Sequence, residues 1–318
     1  MKSRALISLY EELLFVRCLD EKISSLSKQG RARLYTPFRG QEAAQVALGQ
    51  SLSEEDWLLP TFRDTGLIYT RGVDLESIFC FWMGYEEAHL GFGKTWPVCA
   101  PVATQLPHAV GVALGEKYQN SGHAVAVCLG DGAMSKGDCH EAMNLAAVWS
   151  LPVLFYCQNN RWAISTPIEK QSSVQNLVDR AQSYQIRSIQ VDANDIKSTK
   201  KACQEALAYI KDGYGPVFIE ALTWREGGHS VIDQPRLYRD DLANPPVSPI
   251  DKLEVELLQK GIEVVELRQT LSKQYEEELN QAVKRAEYLC QQYKKQSQAS
   301  FEYTYAQSPP ELKVQAQL

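Results

Sequence analysis

Two polar turns, each placed directly after an apolar run, carry the residues best suited to chemistry. The turn at 130–132 reads Gly-Asp-Gly, and the turn at 159–160 reads Asn-Asn. One carboxylate, from Asp131, and one amide oxygen, from Asn160, suit Mg²⁺, which takes its other ligands from phosphates and water. Glycines on both sides of the carboxylate let the backbone come close to a phosphate group. The pattern indicates a cofactor site, although Gly-Asp-Gly alone is also compatible with a tight structural turn.

The elements around these turns predict how they are brought together. The apolar runs 124–129 and 153–157 are short and bounded by turn residues, which is typical of buried parallel strands. Residues 138–150 between them have apolar positions at helical spacing. In a right-handed βαβ unit both strands end at the same edge of the sheet, so the two turns should open into one crevice.

A third apolar run, 217–222, is followed by Arg225 and His229. If this run is another parallel strand, both side chains should face the same crevice as Asp131. A histidine in a glycine-containing loop is often only exposed, and this is the alternative for His229.

Arg63 follows a proline in a loop-like context. A guanidinium is well shaped to clamp a phosphate group, so one interpretation is a phosphate-binding residue. The alternative from the local sequence is a surface salt bridge to Asp64 or Asp74.

Alternating strands and helices predict an α/β fold with a doubly wound, mostly parallel sheet, preceded by N-terminal helices and followed by a C-terminal helical extension. We expect residues 1–245 to form the sheet domain and residues 246–318 to form helices and a tail. Residues 174–184 should be helical, and the tail from 301 shows no helical period. The last long helix has an apolar face that needs cover, from its own domain or from a partner, and we expect residues 246–318 to pack on a partner subunit.

Composition limits the function classes. The 318 residues carry a formal net charge of −6, which argues against non-specific nucleic-acid binding, and 44% are apolar, enough for a large core. No apolar run approaches the roughly 18 residues of a membrane span, and the charged N-terminal stretch is unlike a signal peptide. Eight cysteines occur singly, which favours buried reduced thiols in a cytoplasmic protein.

With 26 residues between its two halves, the pattern of Gly-Asp-Gly followed by Asn-Asn resembles the thiamine-diphosphate motif. The chain looks like the alpha subunit of thiamine-diphosphate-dependent 2-oxo acid dehydrogenases, and it is most similar to the bacterial pyruvate type. The resemblance extends from Gly40 to Arg239 and is tightest over residues 158–167. It implies the thiamine-diphosphate-binding fold.

The resemblance also implies roles for individual residues. Mg²⁺ would be held by the side chains of Asp131 and Asn160 and by the backbone carbonyl of Trp162. His229 would be the catalytic residue that assists proton handling or acyl transfer. The implied cofactor-binding residues are Phe62, Arg63, Val102, Gly130, Asp131, Gly132, Ala133, Gln158, Asn160, Arg225 and His229.

The implied activity is oxidative decarboxylation of pyruvate, with acyl transfer to the lipoyl group of a transacylase core. It requires a beta subunit, in a tetramer of two alpha and two beta chains. A branched-chain (2-oxoisovalerate) or acetoin dehydrogenase alpha subunit is an alternative, because Thr36 replaces a histidine found in some pyruvate-type members. A cofactor-free structural subunit is a further alternative. Whether Ser230 is phosphorylated, and whether a monovalent cation lies near Thr104 and Gln105, stays open.

Overall fold

The computed structural model describes residues 3–295, residue 307 and residues 309–315. Its centre is a sheet of five parallel strands in the order β1-β2-β3-β7-β6. The predicted doubly wound, mostly parallel fold is therefore confirmed. A separate antiparallel pair, β4 and β5, follows the central strand β3. The strands are β1 (Trp57–Leu59), β2 (Val125–Gly130), β3 (Val153–Asn159), β4 (Trp162–Ala163), β5 (Thr166–Pro167), β6 (Arg187–Asp192) and β7 (Val217–Leu222).

Twelve α-helices lie within the described ranges. They are α1 (Ser3–Lys28), α2 (Glu42–Gly49), α3 (Thr65–Thr70), α4 (Leu75–Trp82), α5 (Gln105–Gln119), α6 (Gly137–Val148), α7 (Ile168–Gln171), α8 (Val178–Gln182), α9 (Ile196–Lys211), α10 (Pro249–Gln259), α11 (Val264–Lys295) and α12 (Pro310–Gln315). None of the helices in this part of the chain combines the length and apolar character that a bilayer span requires.

Alternate residues of the central strands point to opposite faces of the sheet, as the two-residue strand period demands. Val127 of β2 and Phe155 of β3 pack on the face covered by α5 and α6. Ala126 and Leu154 pack on the face covered by α2 and α9. Because both faces are buried, the strands carry the continuous apolar runs seen in the sequence.

The register of the strands fixes where their carboxyl ends meet. Gly130 of β2 pairs with Gln158 of β3, and Asn159 of β3 pairs with Leu222 of β7. The turns that follow these three strands therefore begin at nearly the same height along the sheet. This confirms that they open at one edge.

A third apolar cluster joins the two ends of the chain. The predicted apolar face of α11, which includes Tyr275 and Leu279, is buried against helices α1 and α4 of the same chain. The ring of Tyr275 meets Phe15 of α1 edge-on, with centroids 5.0 Å apart. This face is thus covered within the chain. A domain boundary at residue 245, and packing of the remaining C-terminal surface on a partner, stay predictions.

Three local expectations were wrong or incomplete. Helix α3 was not predicted, because it contains Gly and Thr and is held by tertiary contacts: Gln45 accepts a hydrogen bond from the Leu67 backbone at 3.1 Å. The predicted helix at 174–184 is shorter, since only Val178–Gln182 is helical. The tail contains the short helix α12, and the rest of the tail prediction lies outside the described residues.

Candidate functional site

A cavity of about 310 Å³ lies at the carboxyl ends of β2 and β3. Among the residues predicted for the site, all but Arg225 line it. They are Phe62, Arg63, Val102, Gly130, Asp131, Gly132, Ala133, Gln158, Asn160, Trp162 and His229. The structure also brings in Gln41, Thr61 and Lys136, which the sequence analysis did not single out.

Asp131 begins a short 3₁₀-helix at the end of β2, and its side chain is almost fully buried. Its Oδ2 atom has no hydrogen-bond partner within the part of the chain that is described. Burial raises the pKa of this carboxyl to about 6, while the charge of Arg225 and a hydrogen bond from the Asn160 backbone oppose the rise. A buried carboxylate oxygen without a donor is costly, so it marks a place that a cation would satisfy.

Asn160 lies beside Asp131 in the cavity wall. Its Oδ1 atom accepts a hydrogen bond from the Trp162 backbone at 3.1 Å, and its Nδ2 atom donates to Oε1 of Gln41 at 3.0 Å. Gln41 precedes α2 and lies 119 residues earlier in the chain, so no local signal marked it. The carboxamide is thereby oriented with its second oxygen lone pair left for a ligand.

Arg63 reaches the cavity from the loop after β1. Its guanidinium donates to the backbone oxygens of Pro37 and His229 and lies 3.1 Å from Nδ1 of His229. No ion pair joins it to either acidic residue named in the sequence analysis, so that alternative was wrong for the described chain. Burial and the nearby charge of Arg225 together lower the pKa of Arg63 to about 10, and burial is the larger cause.

His229 lies in the loop after β7, as predicted, and borders the cavity. Asp233 holds the loop by accepting hydrogen bonds from the His229 backbone and from the Tyr238 hydroxyl, each at 2.5 Å. Gly228 is required there because a Cβ atom would lie 2.9 Å from Cβ of Asp233. Burial lowers the pKa of His229 to about 4, and the charges of Arg63 and Arg225 act in the same direction.

The contact with Arg63 also determines the tautomer of His229. A guanidinium only donates hydrogen bonds, so the Nδ1 atom facing it must accept. The neutral imidazole therefore carries its proton on Nε2. The residue enters the site as a neutral hydrogen-bond donor rather than as a cation.

Arg225 lies behind the cavity wall instead of in it. It is 1% exposed, and its Nη2 atom donates to the Ile164 carbonyl at 3.1 Å and to the Tyr238 hydroxyl at 3.2 Å. Its Nη1 atom lacks a hydrogen-bond partner among the described residues. Burial lowers its pKa, which shows that its charge is held at a cost.

The local backbone leaves room for a phosphorylated ligand. A Cβ atom at Gly130 would meet no protein atom within 4 Å, whereas one at Gly132 would approach Cβ of Ala163 to 3.0 Å. Open space therefore adjoins the first glycine, and the second allows close packing of the β4 segment. The unsatisfied oxygen of Asp131 lies in this wall, and the charge of Arg225, behind the wall, acts on the same carboxylate. The residues present fit a divalent cation bound together with an anionic phosphate group.

Backbone strain is concentrated around the same cavity. Ala103 and Ile164, both in its wall, have φ angles of 75° and 56°, and Arg161 between Asn160 and Trp162 has 66°. Non-glycine residues adopt this region at a cost of about 1–2 kcal/mol each. Such strain is common where a backbone is shaped for a ligand.

Comparison with known proteins agrees with this fold. The family model described as the dehydrogenase E1 component matches residues 10–296. The chain therefore belongs to the dehydrogenase E1 component family. This was the class that the sequence resemblance indicated.

Three relatives show the range of similarity. The 3-methyl-2-oxobutanoate dehydrogenase subunit alpha of Mycobacterium tuberculosis is 40% identical over 233 residues, 73% of this chain and 64% of that protein. The match thus spans less than two thirds of the mycobacterial protein. The pyruvate dehydrogenase E1 component subunit alpha of Acholeplasma laidlawii is 32% identical over 324 residues, 99% of this chain and 92% of that protein. The 2-oxoisovalerate dehydrogenase subunit alpha of Bacillus subtilis is 33% identical over 299 residues, 88% of this chain and 90% of that protein.

Proposed function

We propose that the chain is the alpha subunit of a thiamine-diphosphate-dependent 2-oxo acid dehydrogenase. The observation that carries the proposal is the pairing, at one edge of the sheet, of a buried unsatisfied Asp131 oxygen with the buried guanidinium groups of Arg63 and Arg225. A cation and a diphosphate would satisfy both sets of groups. Membership of the dehydrogenase E1 component family supports the same reading.

In this proposal Mg²⁺ would be held by the side chains of Asp131 and Asn160 and by the carbonyl of Trp162. The backbone of Gly132 and Ala133 would bind the diphosphate, and the two arginines would balance its charge. Phe62 and Val102, also in the cavity wall, would contact the organic part of the cofactor. Both polar atoms of the Gln158 carboxamide are hydrogen-bonded within the protein, Oε1 to Gln41 and Nε2 to Asp64, so these contacts hold the side chain in the cavity wall.

When bound, thiamine diphosphate supplies the carbanion and the electron sink that decarboxylation of a 2-oxo acid requires. The protein contributes orientation, charge and exclusion of water. His229 presents its Nε2–H as a donor, which can stabilise negative charge that develops on the substrate oxygen. Arg63 fixes this tautomer and keeps the imidazole neutral.

The proposed partners are a beta subunit, in a tetramer of two alpha and two beta chains, and the lipoyl-bearing transacylase core that accepts the acyl group. The beta subunit would complete the active site. We place the assembly in the cytoplasm. The relatives are named as alpha subunits, which supports the existence of a partner subunit.

Pyruvate is the substrate we propose first, and a branched-chain 2-oxo acid is the second candidate. The relative that matches 99% of the chain acts on pyruvate by its name, whereas the one with 40% identity acts on 3-methyl-2-oxobutanoate. A second cavity, of about 570 Å³, borders Phe62 and His229 and has apolar walls that include Phe81, Trp82 and Val98. An apolar acyl group is compatible with such walls.

The test uses the assembled enzyme. Calorimetric titration with thiamine diphosphate should show binding that depends on Mg²⁺ and that is lost in Asp131→Ala. An exposed carboxylate far from the cavity provides the control variant, Asp212→Asn. Turnover with pyruvate, 2-oxoisovalerate and acetoin would then identify the substrate. Absence of Mg²⁺-dependent binding in the unmodified protein would instead favour the cofactor-free structural subunit.

A further inference from the structure

Four buried polar side chains form a continuous row that begins at the cavity and ends behind it. Nδ2 of Asn160 donates to Oε1 of Gln41 at 3.0 Å, and Nε2 of Gln41 donates to Oε1 of Gln158 at 3.2 Å. Nε2 of Gln158 then donates to Oδ1 of Asp64 at 2.5 Å. All four side chains are buried. Every hydrogen bond in this row, which we call the amide relay, runs in the same direction.

The direction of the amide relay is determined at both of its ends. Asp64 accepts the Thr61 backbone N–H through Oδ2 at 2.6 Å, so both carboxylate oxygens receive hydrogen bonds from N–H groups. A carboxylate cannot donate, and Gln158 must therefore present its NH₂ group. At the other end the Trp162 N–H, which can only donate, faces Oδ1 of Asn160. The two ends agree.

The backbone also fixes the middle of the relay. Gln41 lies immediately before α2, and the next residue, Glu42, accepts a hydrogen bond from the Gly40 backbone at 3.0 Å. Glu42 is also paired with the buried Arg17 at 2.7 Å. The start of α2 is thus anchored, and the Gln41 side chain cannot move away without leaving buried polar groups unpaired.

Reversal of any one amide would place two oxygens or two NH₂ groups against each other. For Asn160 a reversal would also turn an NH₂ group toward the proposed cation. We infer that Asp64, Gln158 and Gln41 are positioning residues, which hold the Asn160 carboxamide with its oxygen available to the divalent cation. This inference rests on the function proposed above. It gives Asp64 a role in the site, although Asp64 does not line the cavity.

The relay can be tested by reversing it. In Asn160→Asp a carboxylate replaces the first donor, so Gln41 and Gln158 must both turn over. Gln158 would then present its oxygen to residue 64, which has to donate. Asp64 cannot do this, but the amide introduced by Asp64→Asn can. The double variant Asp64→Asn/Asn160→Asp should therefore carry a complete relay of opposite direction.

Binding of Mn²⁺, a probe for the Mg²⁺ site, would be followed by electron paramagnetic resonance of the free ion. The measurement uses the assembled enzyme with thiamine diphosphate present. Asp64→Asn should weaken binding by about tenfold or more, as changes behind a metal ligand often do. The double variant should bind Mn²⁺ more tightly than Asn160→Asp alone. The matched control is Asp56→Asn, which changes another buried carboxylate away from the relay. It should not restore Mn²⁺ binding to Asn160→Asp.

The inference would be overturned if Asp64→Asn and Asn160→Asp weakened Mn²⁺ binding independently of each other. Normal Mn²⁺ binding by Asp64→Asn would also overturn it. Gln41→Met, which keeps the shape but removes both hydrogen bonds, should also weaken binding. Thermal unfolding of the cofactor-free variants verifies that each one is folded. If the unmodified enzyme binds neither Mn²⁺ nor thiamine diphosphate, the proposed function itself fails, and that result is distinct from failure of the relay.

Discussion

The Nη2 atom of Arg63 lies 3.1 Å from Nδ1 of His229 and donates to the His229 carbonyl oxygen at 3.0 Å. One guanidinium thus contacts both the ring and the backbone of a residue 166 positions away. The contact orients the imidazole, determines its tautomer and disfavours its protonation. Because Arg63 also lines the cavity, its charge would act on a bound ligand and on His229 at the same time.

The pKa of His229 should be about 4 in the cofactor-free protein, because burial and two arginine charges disfavour the imidazolium. Arg63→Gln should raise this pKa, yet leave it below 6.5, since burial is the larger cause. Nuclear magnetic resonance of protein labelled at histidine Cε1 would measure the titration, and His229→Gln would assign the signal. A pKa that does not respond to Arg63→Gln would contradict the prediction.

His229 should also make the stability of the protein depend on pH. Its folded-state pKa lies below the unfolded value, so between pH 6.5 and about 4 the unfolded chain binds the proton first. The contribution to stability is complete above pH 6.5 and is lost as the pH falls through this window. In urea unfolding, His229→Gln should lose less free energy of unfolding than the unmodified protein between pH 6.5 and about 4. Parallel profiles for the variant and the unmodified protein would be inconsistent with this linkage.

Asp131→Asn should have opposite effects on stability and on ligand binding. It removes a buried charge with an unsatisfied oxygen, so the cofactor-free protein should gain about 1–3 kcal/mol in free energy of unfolding. The same substitution should abolish the rise in melting temperature that Mg²⁺ and thiamine diphosphate together produce. Scanning calorimetry with and without ligands measures both quantities. Loss of stability without the ligands would show that the carboxylate is satisfied within the protein.

The stability of the variant Asp20→Asn, relative to the unmodified protein, should increase as the pH rises. Burial raises the pKa of Asp20 to about 7, although hydrogen bonds from the Phe38 backbone and the Tyr35 hydroxyl oppose this. The carboxyl therefore contributes stability at low pH that is lost as the pH rises through about 7, by at most about 4 kcal/mol. Relative to the unmodified protein, the variant should gain stability between pH 5 and pH 8. The exposed neighbour Glu21→Gln is the control, and an equal difference at both pH values would refute the assignment.

Leu279→Ala should destabilise the protein by about 2–5 kcal/mol, because Leu279 is buried where α11 packs on the N-terminal helices. Val265→Ala, on the exposed side of the same helix, should change stability by less than about 0.5 kcal/mol. Denaturant unfolding of the two variants compares them directly. Equal effects would mean that the C-terminal helices do not share the core of the chain.

Local patterns in the sequence were sufficient to predict the sheet and the two turns of the site that contain Asp131 and Asn160. The runs before Asp131 and Asn160 are continuous because both faces of the sheet are covered, and such runs are visible without a structure. The rule that parallel strands end at one edge then brought the two turns together. Helix α3 escaped prediction because its residues favour a turn until tertiary contacts hold them.

By itself the sequence determined which residues stand at the carboxyl ends of the strands, since strand periodicity and turn residues are local properties of the chain. Only the tertiary structure decided that Gln41 orients Asn160, that Arg63 pairs with His229, and that Arg225 lies behind the wall. These contacts join residues from 61 to 166 positions apart. Their geometry depends on how helices and loops pack across the sheet, and no short pattern of residue types encodes that packing.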